Sequence, residues 1–480
     1  TPRGTVAPTP MTATVAPAAA AASVAPSIAV LPLVNLGRDS ADQYFADGMS
    51  EEITSKLAKV RGLRVASRTA AISVRGKAAS VGEIGKMLNV ATLLEGTMQR
   101  DKNRLRITAR LVNVADGFTL WSDVYERDPK DIFSVQDEIS QAIVVALGAE
   151  LHTTPTAADT ATKAVAPAAY NEYLLGRFFF AKRGDAALRS AIDHFKAAVK
   201  LEPGYALAYA GIADAYTVLP LYGPSKGEEV WPLAMNAADR AIALDSTLAE
   251  GYAARGNLQD AAWRWADAER DLRRAISLRP NYAQAHQWLG ENLMVNDRIG
   301  ESVTELKRAT ELDPTSPIAL GSYALALGVA GDSASAFVQA KKAVDLDPSL
   351  YATRFMLGAV KVYAGRYGDA IRELEAADAL SKGLDPVRGM LGYAYAKAGD
   401  RARATGIVSA LEMSKVPDGF AIARIYIGLG DNAKALRWFE RAASQHNGYF
   451  QSESLHSPIF EPLRGDPMFR KIVHSIGLEI

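Results

Sequence analysis

A period runs through most of this chain. Pro280, Pro314 and Pro348 stand 34 residues apart and close the similar tails AISLRP, ATELDP and AVDLDP, while Ser246 in AIALDS holds the slot 34 residues earlier. A further tail, AVKLEP, ends at Pro203. Gly256, Gly290, Gly358 and Gly392 keep the same step, with Ala324 in the remaining slot, and Gly331, Gly365 and Gly399 form a third series. Proline lacks an N–H and pushes the residue before it out of the helical region, so each tail ends a helix. Glycine upstream of the tail lets a neighbouring helix approach closely. Ala234, Ala268, Ala336, Ala370, Ala404 and Ala435 offer the same small surface in the second helix of each unit.

A 34-residue unit of two amphipathic helices with small residues at their contacts and a closing proline resembles the tetratricopeptide repeat. On this grid the helical pairs run over 170–445 and number about eight. The stretch VLPLYGPSKGEEVWP lengthens the second unit, and the last unit is shortened. A single pair is too thin to bury its apolar face, so the units are expected to stack into an all-α solenoid with a concave surface. Residues 446–480, with the stretch SPIFEPLRGDPMFRKIVHSIGLEI, are expected to cap its open end.

The bulk numbers narrow the partner. Lys+Arg and Asp+Glu are both 54, so no global field draws the chain to nucleic acid or anionic lipid. Cys is 0, which excludes disulfides and thiolate metal sites. No apolar run reaches the roughly 18 residues needed to cross a bilayer. Residues 1–26, rich in Ala, Pro, Thr and Val, cannot bury a core and are expected to form a linker or tail. A stretch of similar composition at 152–169 is expected to separate two domains.

Between those linkers, residues 27–151 are expected to form an α/β domain with a mixed sheet and flanking helices. SIAVLPLVNL reads as a buried strand, ADGMSEEITSKLAKV as a helix with Met49, Ile53, Leu57 and Val60 on one face, LRVASRT as a strand and VGEIGKMLNV as a short helix. ATLLEGTMQ, RLRITARLVNV and FTLWSDVYE then read as an antiparallel meander. In its middle strand Leu105, Ile107, Ala109 and Leu111 alternate with Arg104, Arg106, Thr108 and Arg110. Asp116-Gly117 signals a two-residue hairpin, and DIFSVQDEISQAIVVALGAEL a closing helix. This succession resembles the TolB-like amino-terminal domain that precedes tetratricopeptide arrays in bacterial proteins. IAVLPLVNL, DGMSEEI, GLRVASRT, EIGKMLNVATLLEGTMQRDKNRLRITARLVN and LWSDVYERDPKDIFSVQDEI carry the likeness. It implies a place behind a kinase, a nucleotide cyclase or a DNA-binding domain, and supplies no catalytic residue.

Local signatures of chemistry are missing. There is no G-x-x-x-x-G-K-[ST], H-E-x-x-H or G-x-S-x-G, and the six histidines lack ligand spacing. His194 and His286 read as helix-packing or surface residues. Glu51 and Glu52 read as first-turn acids favoured by a helix dipole rather than a catalytic pair. The basic segment KVRGLRVASRTAAISVRGK reads as a solvated strand and loop rather than an anion site, and Arg183-Gly184-Asp185 as a repeat turn rather than an adhesion tripeptide. No cofactor or metal is expected.

What remains is a binding surface. The resemblance maps the groove-facing positions to Tyr170, Tyr173, Arg177, Phe180, Tyr205, Tyr216, Asn257, Gln284, Gln287, Glu291, Phe355 and Tyr393, with Ile212 beside them. Aromatics ringed by amides suit an extended peptide or a partner helix, although the same rings could fill gaps between helices. The lysine that carboxylate-clamp members of the family place before the groove asparagine is replaced here by Ala253, four residues before Asn257. The function expected is a non-enzymatic scaffold or sensory module of a bacterial envelope protein, outside the cytoplasm, that holds a protein or peptide in the groove. The alternative is a structural subunit that self-assembles through its amino-terminal tail. The first expectation requires an inner wall left open by the chain's own side chains.

Overall fold

The computed structural model describes residues 26–37, 43–58, 60, 62–66, 71–72, 74–75, 79–101, 104–128, 132–147, 165–182, 184–221, 225–451 and 453–479. The tail at 1–26, but for its last residue, and most of the 152–169 linker therefore lie outside the described residues. Strands β1 (Ser27–Val30), β2 (Val34–Asn35), β3 (Arg64–Val65), β4 (Thr92–Asp101), β5 (Arg104–Asn113) and β6 (Thr119–Arg127) form one mixed sheet in the order β3-β1-β4-β5-β6, with β2 also on β4. β1 runs parallel to β3 and β4, and β4-β5-β6 is the expected antiparallel meander. The single strand expected over SIAVLPLVNL is instead two, interrupted around Pro32, which has no N–H for a ladder. The β5–β6 loop is longer than a two-residue hairpin. The Asn113 amide donates to the Phe118 carbonyl, Gly117 takes φ 74°, and the Asp116 carboxylate accepts from the Phe118 amide at 2.9 Å.

Helix α1 (Gln43–Leu57) puts Met49, Ile53 and Leu57 into the core against one face of the sheet. Helix α3 (Ile132–Leu147) joins it there with Val135, Ile139, Ile143 and Leu147, an i, i+4 stripe. Leu105, Ile107, Ala109 and Leu111 supply the sheet's side of that core. Helix α2 (Val81–Leu88) covers only the start of the opposite face, where Leu88 packs with Ala29 and Leu93. Ser80 and Glu83 cap it reciprocally and Asn89 ends it in the left-handed region. The rest of that face, over β4, β5 and β6, carries the exposed Arg104, Arg106 and Arg110.

Sixteen helices follow in eight pairs. The first four are α4 (Pro167–Lys182) with α5 (Asp185–Leu201), α6 (Ala206–Val218) with α7 (Gly227–Leu244), α8 (Ala249–Ala261) with α9 (Trp265–Leu278), and α10 (Ala283–Val295) with α11 (Ile299–Leu312). The last four are α12 (Pro317–Val329) with α13 (Ser333–Leu346), α14 (Tyr351–Tyr363) with α15 (Tyr367–Ser381), α16 (Asp385–Lys397) with α17 (Arg401–Glu412), and α18 (Gly419–Leu429) with α19 (Asn432–Ser444). The period has a structural cause in each series. A Cβ added at Gly256, Gly290 or Gly358 would lie 2.8, 2.5 or 2.6 Å from Leu272, Leu306 or Leu374 of the paired helix. Gly331, Gly365 and Gly399 turn between the two helices with φ of 86°, 70° and 91°. Asp297 and Trp263 hold that same left-handed slot with φ 59° in earlier units, a costly conformation for a bulky residue.

The carboxy-terminal residues do not cap the open end alone. After α19 they form two short 3₁₀ turns (Gly448–Gln451 and Pro458–Leu463) and helix α20 (Pro467–Ser475), and they run back across the inner layer as far as α8. The residues after the last unit also reach the third unit, with His446 and Phe450 on Trp263 and the Ile476 carbonyl at the Trp265 indole.

Candidate functional site

The first helices of the pairs pack directly on one another, α6 on α8, α12 on α14 and α16 on α18, and form the inner layer that a partner would have to reach. At its amino-terminal end this layer is covered by the α/β domain. Gly48 of α1 meets α4 so closely that a Cβ there would lie 2.2 Å from Leu174. Gln136 of α3 donates to the Tyr170 hydroxyl at 2.9 Å, and Phe45 packs its edge on the Tyr170 ring. Arg177 pairs with Glu51 at 2.8 Å. Further along, the Asn281 amide donates to the Leu63 carbonyl at 2.7 Å, so the domain touches the turn before α10 as well. Burial disfavours the Arg177 cation, but Glu51, Tyr173, Tyr282 and Asp214 together more than offset this, and its pKa is raised above the usual guanidinium value.

The other end is covered by the carboxy-terminal segment. His446 stacks on Trp263 with ring centroids 3.7 Å apart, and Phe450 sets its edge on the same indole at 5.4 Å. The Trp265 indole N–H donates to the Ile476 carbonyl at 2.8 Å, and His456 faces Asp297 at 3.3 Å. Phe450, Ile459, Phe460, Leu463 and Phe469 are fully buried, with Phe460 in contact with Phe420, Phe439 and Phe469. Arg424 of α18 is buried with Glu453 as its ion-pair partner and donates to the Pro386 carbonyl at 3.2 Å. Burial pushes the Arg424 guanidinium down to about 10 despite Tyr363, Asp418 and Tyr449 around it.

Most of the expected groove residues are therefore found against the chain itself. Tyr170, Tyr173, Arg177 and Tyr205 come together beneath α1, Tyr173 touching Phe195 and Tyr205 at centroid distances of 5.8 and 5.2 Å. Phe180, half-buried, lies with its ring 6.0 Å from the Arg177 guanidinium. Ile212 is buried beside them. Tyr216 turns to its neighbour α5, where its hydroxyl accepts from Lys196 at 2.8 Å. Gln287 and Ser322 both donate to Glu291, at 3.0 and 2.7 Å, and burial raises the Glu291 pKa against those bonds. Asn257 and Gln284 are half-buried on α8 and α10. Phe355 packs on the carboxy-terminal core, and Tyr393 is buried with its ring 6.4 Å from Tyr367.

Several sequence readings meet their residues here. His194 stacks on Phe179 and bonds Glu172, and His286 lies between Glu305 and the Pro280 carbonyl. Asp185 of the Arg-Gly-Asp tripeptide pairs with Arg189 across one helical turn, at 3.0 Å. Arg75 of the basic segment pairs with Asp47. Glu51 is a correction: α1 begins at Gln43, so Glu51 lies mid-helix and serves the contact with Arg177 rather than a helix dipole. Asp260, whose buried carboxylate accepts from the Asn292 side-chain amide at 2.6 Å, was missed, as were Asn292, Trp263, His446, Arg424 and Glu453. Only Trp263 left a sequence signal, an aromatic on the grid of turn glycines. Among the described residues no three His, Asp or Glu side chains converge as a metal site, and no helix is long and apolar enough to cross a membrane.

A tetratricopeptide-repeat model matches residues 420–445. The chain is 33% identical over 186 residues to "Putative adenylate cyclase 3" of Rhizobium meliloti (strain 1021), an alignment covering 39% of this chain and 32% of that one. The chain thus spans about a third of the length of the curated relative it matches. Among solved structures it is similar to a thermophilic TPR protein of Thermus thermophilus, at 20% identity over 41% of this chain and all of that one, with a TM-score of 0.35. It is also similar to human IFIT1, crystallised as a dimer, at 12% identity over 66% of this chain and 80% of that one, with a TM-score of 0.44.

Proposed function

We propose that this chain is a non-enzymatic interaction scaffold, the sensory or regulatory arm of a bacterial envelope protein, and that it presents its outer surface rather than its groove to a protein partner. Tetratricopeptide repeats mediate protein–protein contacts, and the curated relative, named as a putative cyclase, is covered over only 32% of its length. The observation that carries the proposal is the filled inner layer. Each fully buried Phe or Leu contributes about 1.5–3 kcal/mol, so a peptide entering the groove would have to displace Phe450, Phe460, Leu463 and Phe469 together. That loss exceeds what an ordinary peptide contact returns. A preformed, closed body with exposed second helices instead passes a partner's force or position to whatever the chain is joined to.

The test is site-specific photo-crosslinking in native cells, with the probe at exposed Val338 of α13 or Leu380 of α15 and at buried Tyr393 of α16. Protein adducts from the outer positions alone are expected. Adducts at Tyr393, or none from any outer position, overturn the proposal. Placement outside the cytoplasm extends the same proposal from the absence of cysteine and the Ala/Pro/Thr-rich linkers. Fractionation of the native host checks it, and recovery in the cytosol alone refutes that part.

A further inference from the structure

β6 ends the sheet, and among the described residues no strand lies on its far side. Natural edge strands carry Pro, Lys or a bulge along their open length because a bare edge recruits another strand. From Phe118 to Asp128 there is neither Pro nor Lys, and the one bulge, an extra residue at Leu120 of β6 opposite Leu111 and Val112, sits at the start of the strand and leaves Trp121 to Arg127 in unbroken register. Phe118, Leu120 and Val124 are instead apolar and exposed, Val124 at 46%. Strand register sets a row of uncharged side chains straight across the bare face, Val34 beside Thr97, Thr97 beside Thr108 and Thr108 beside Val124. The flanking charges are already matched within the sheet, Arg110 with Glu95 and Arg106 with Glu126.

We propose that β6 is the seam of a homodimer, pairing antiparallel with β6 of a second copy about a two-fold axis through Val124. In that register Val124 meets Val124 of the second copy, and the uncharged row continues unbroken through both sheets. Ser122 then faces Glu126 of the second copy as a donor to its carboxylate. On the other face Asp123 meets Tyr125, and Trp121 meets Arg127, a cation over an indole. A register one step away, centred on Asp123, sets that carboxylate against its own copy and is disfavoured by like charge. A two-fold interface is self-complementary by necessity, and this strand is. The chain's own tail is a poorer occupant, because prolines at 2, 8, 10 and 17 break it into short pieces and its longest proline-free piece, residues 18–25, is mostly alanine, which is depleted in strands.

The test uses the full chain. Light scattering is expected to show a dimer. Val124→Lys should weaken it about tenfold or more, by placing two ammonium groups opposite each other, with an unchanged circular dichroism spectrum because the site is exposed. The chain has 0 cysteines, so Val124→Cys would carry its sole thiol. Directly opposed residues in antiparallel strands have Cα atoms about 4.5–5.5 Å apart, within the span of a disulfide. Mild oxidation of Val124→Cys should therefore give covalent dimers. Four results overturn the proposal: a monomeric wild type, a dimer indifferent to Val124→Lys, no cross-link through position 124, or a dimer lost when residues 1–25 are removed.

Discussion

Glu453→Ala is the most informative single substitution. Glu453 and Arg424 have side-chain exposures of 7% and 2%, and among the described residues Arg424 also donates to the Pro386 carbonyl at 3.2 Å. Removing one member of such a pair leaves a buried, uncompensated charge and costs about 3–5 kcal/mol. Burial pushes the Arg424 pKa down to about 10, the direction expected of a site that disfavours the guanidinium cation. Replacing both residues, as Arg424→Met with Glu453→Leu, removes the charge and its partner together and should be neutral or stabilising by about 1–4 kcal/mol. Urea unfolding followed by tryptophan fluorescence is the suitable assay, because Trp263 and Trp265 both contact the carboxy-terminal segment. A cost below about 1 kcal/mol for Glu453→Ala, or a double variant as unstable as the single one, would refute the reasoning.

Gly48→Ala should destabilise by about 1–3 kcal/mol through overpacking against Leu174, read as a lower midpoint in a thermal melt, and an unchanged midpoint would contradict that close contact. His446 has its pKa lowered by burial between Trp231 and Trp263, so the folded chain binds its proton less readily than the unfolded one. The stability it contributes is complete above the unfolded value of about 6.5 and is lost as pH falls through the lower folded value; the tryptophan-detected midpoint should drop on acidification, and less so in His446→Phe. Burial raises the Asp260 pKa well above the ordinary carboxyl value, with the Asn292 donor opposing. Its contribution is present at low pH and lost as pH rises through the folded value, so Asp260→Asn should stabilise at neutral pH and leave acid stability unchanged in the same titration.

The repeats were legible because the same physical demand recurs at each step. A leucine on the second helix presses on a glycine of the first, and a left-handed turn asks for glycine, so Gly256, Gly331 and their equivalents print a period into the sequence. The meander was legible for a similar reason, since one buried face forces Leu105, Ile107, Ala109 and Leu111 to alternate with exposed neighbours. Occupation of the inner layer was not legible. Glu51 and Arg177 meet across two domains, and Arg424 and Glu453 across the turn of the stack, so no local pattern marks either pair. The aromatic positions were read as a groove because a tyrosine facing a peptide and a tyrosine facing α1 look alike along one helix. Trp263 was the exception, since a bulky residue in a glycine slot has to be held there by something.

The filled inner layer is tested most directly by thiol labelling. Ser457→Cys introduces a small, nearly isosteric thiol at a fully buried position of the carboxy-terminal segment, and Met413→Cys places one at an 81% exposed site as the reference. With no other cysteine in the chain, each variant reports one site. If the segment is seated as described, the thiol at 457 should react about a thousandfold more slowly than the thiol at 413, and should match it only after unfolding. Equal rates under native conditions would mean that the inner layer stands open.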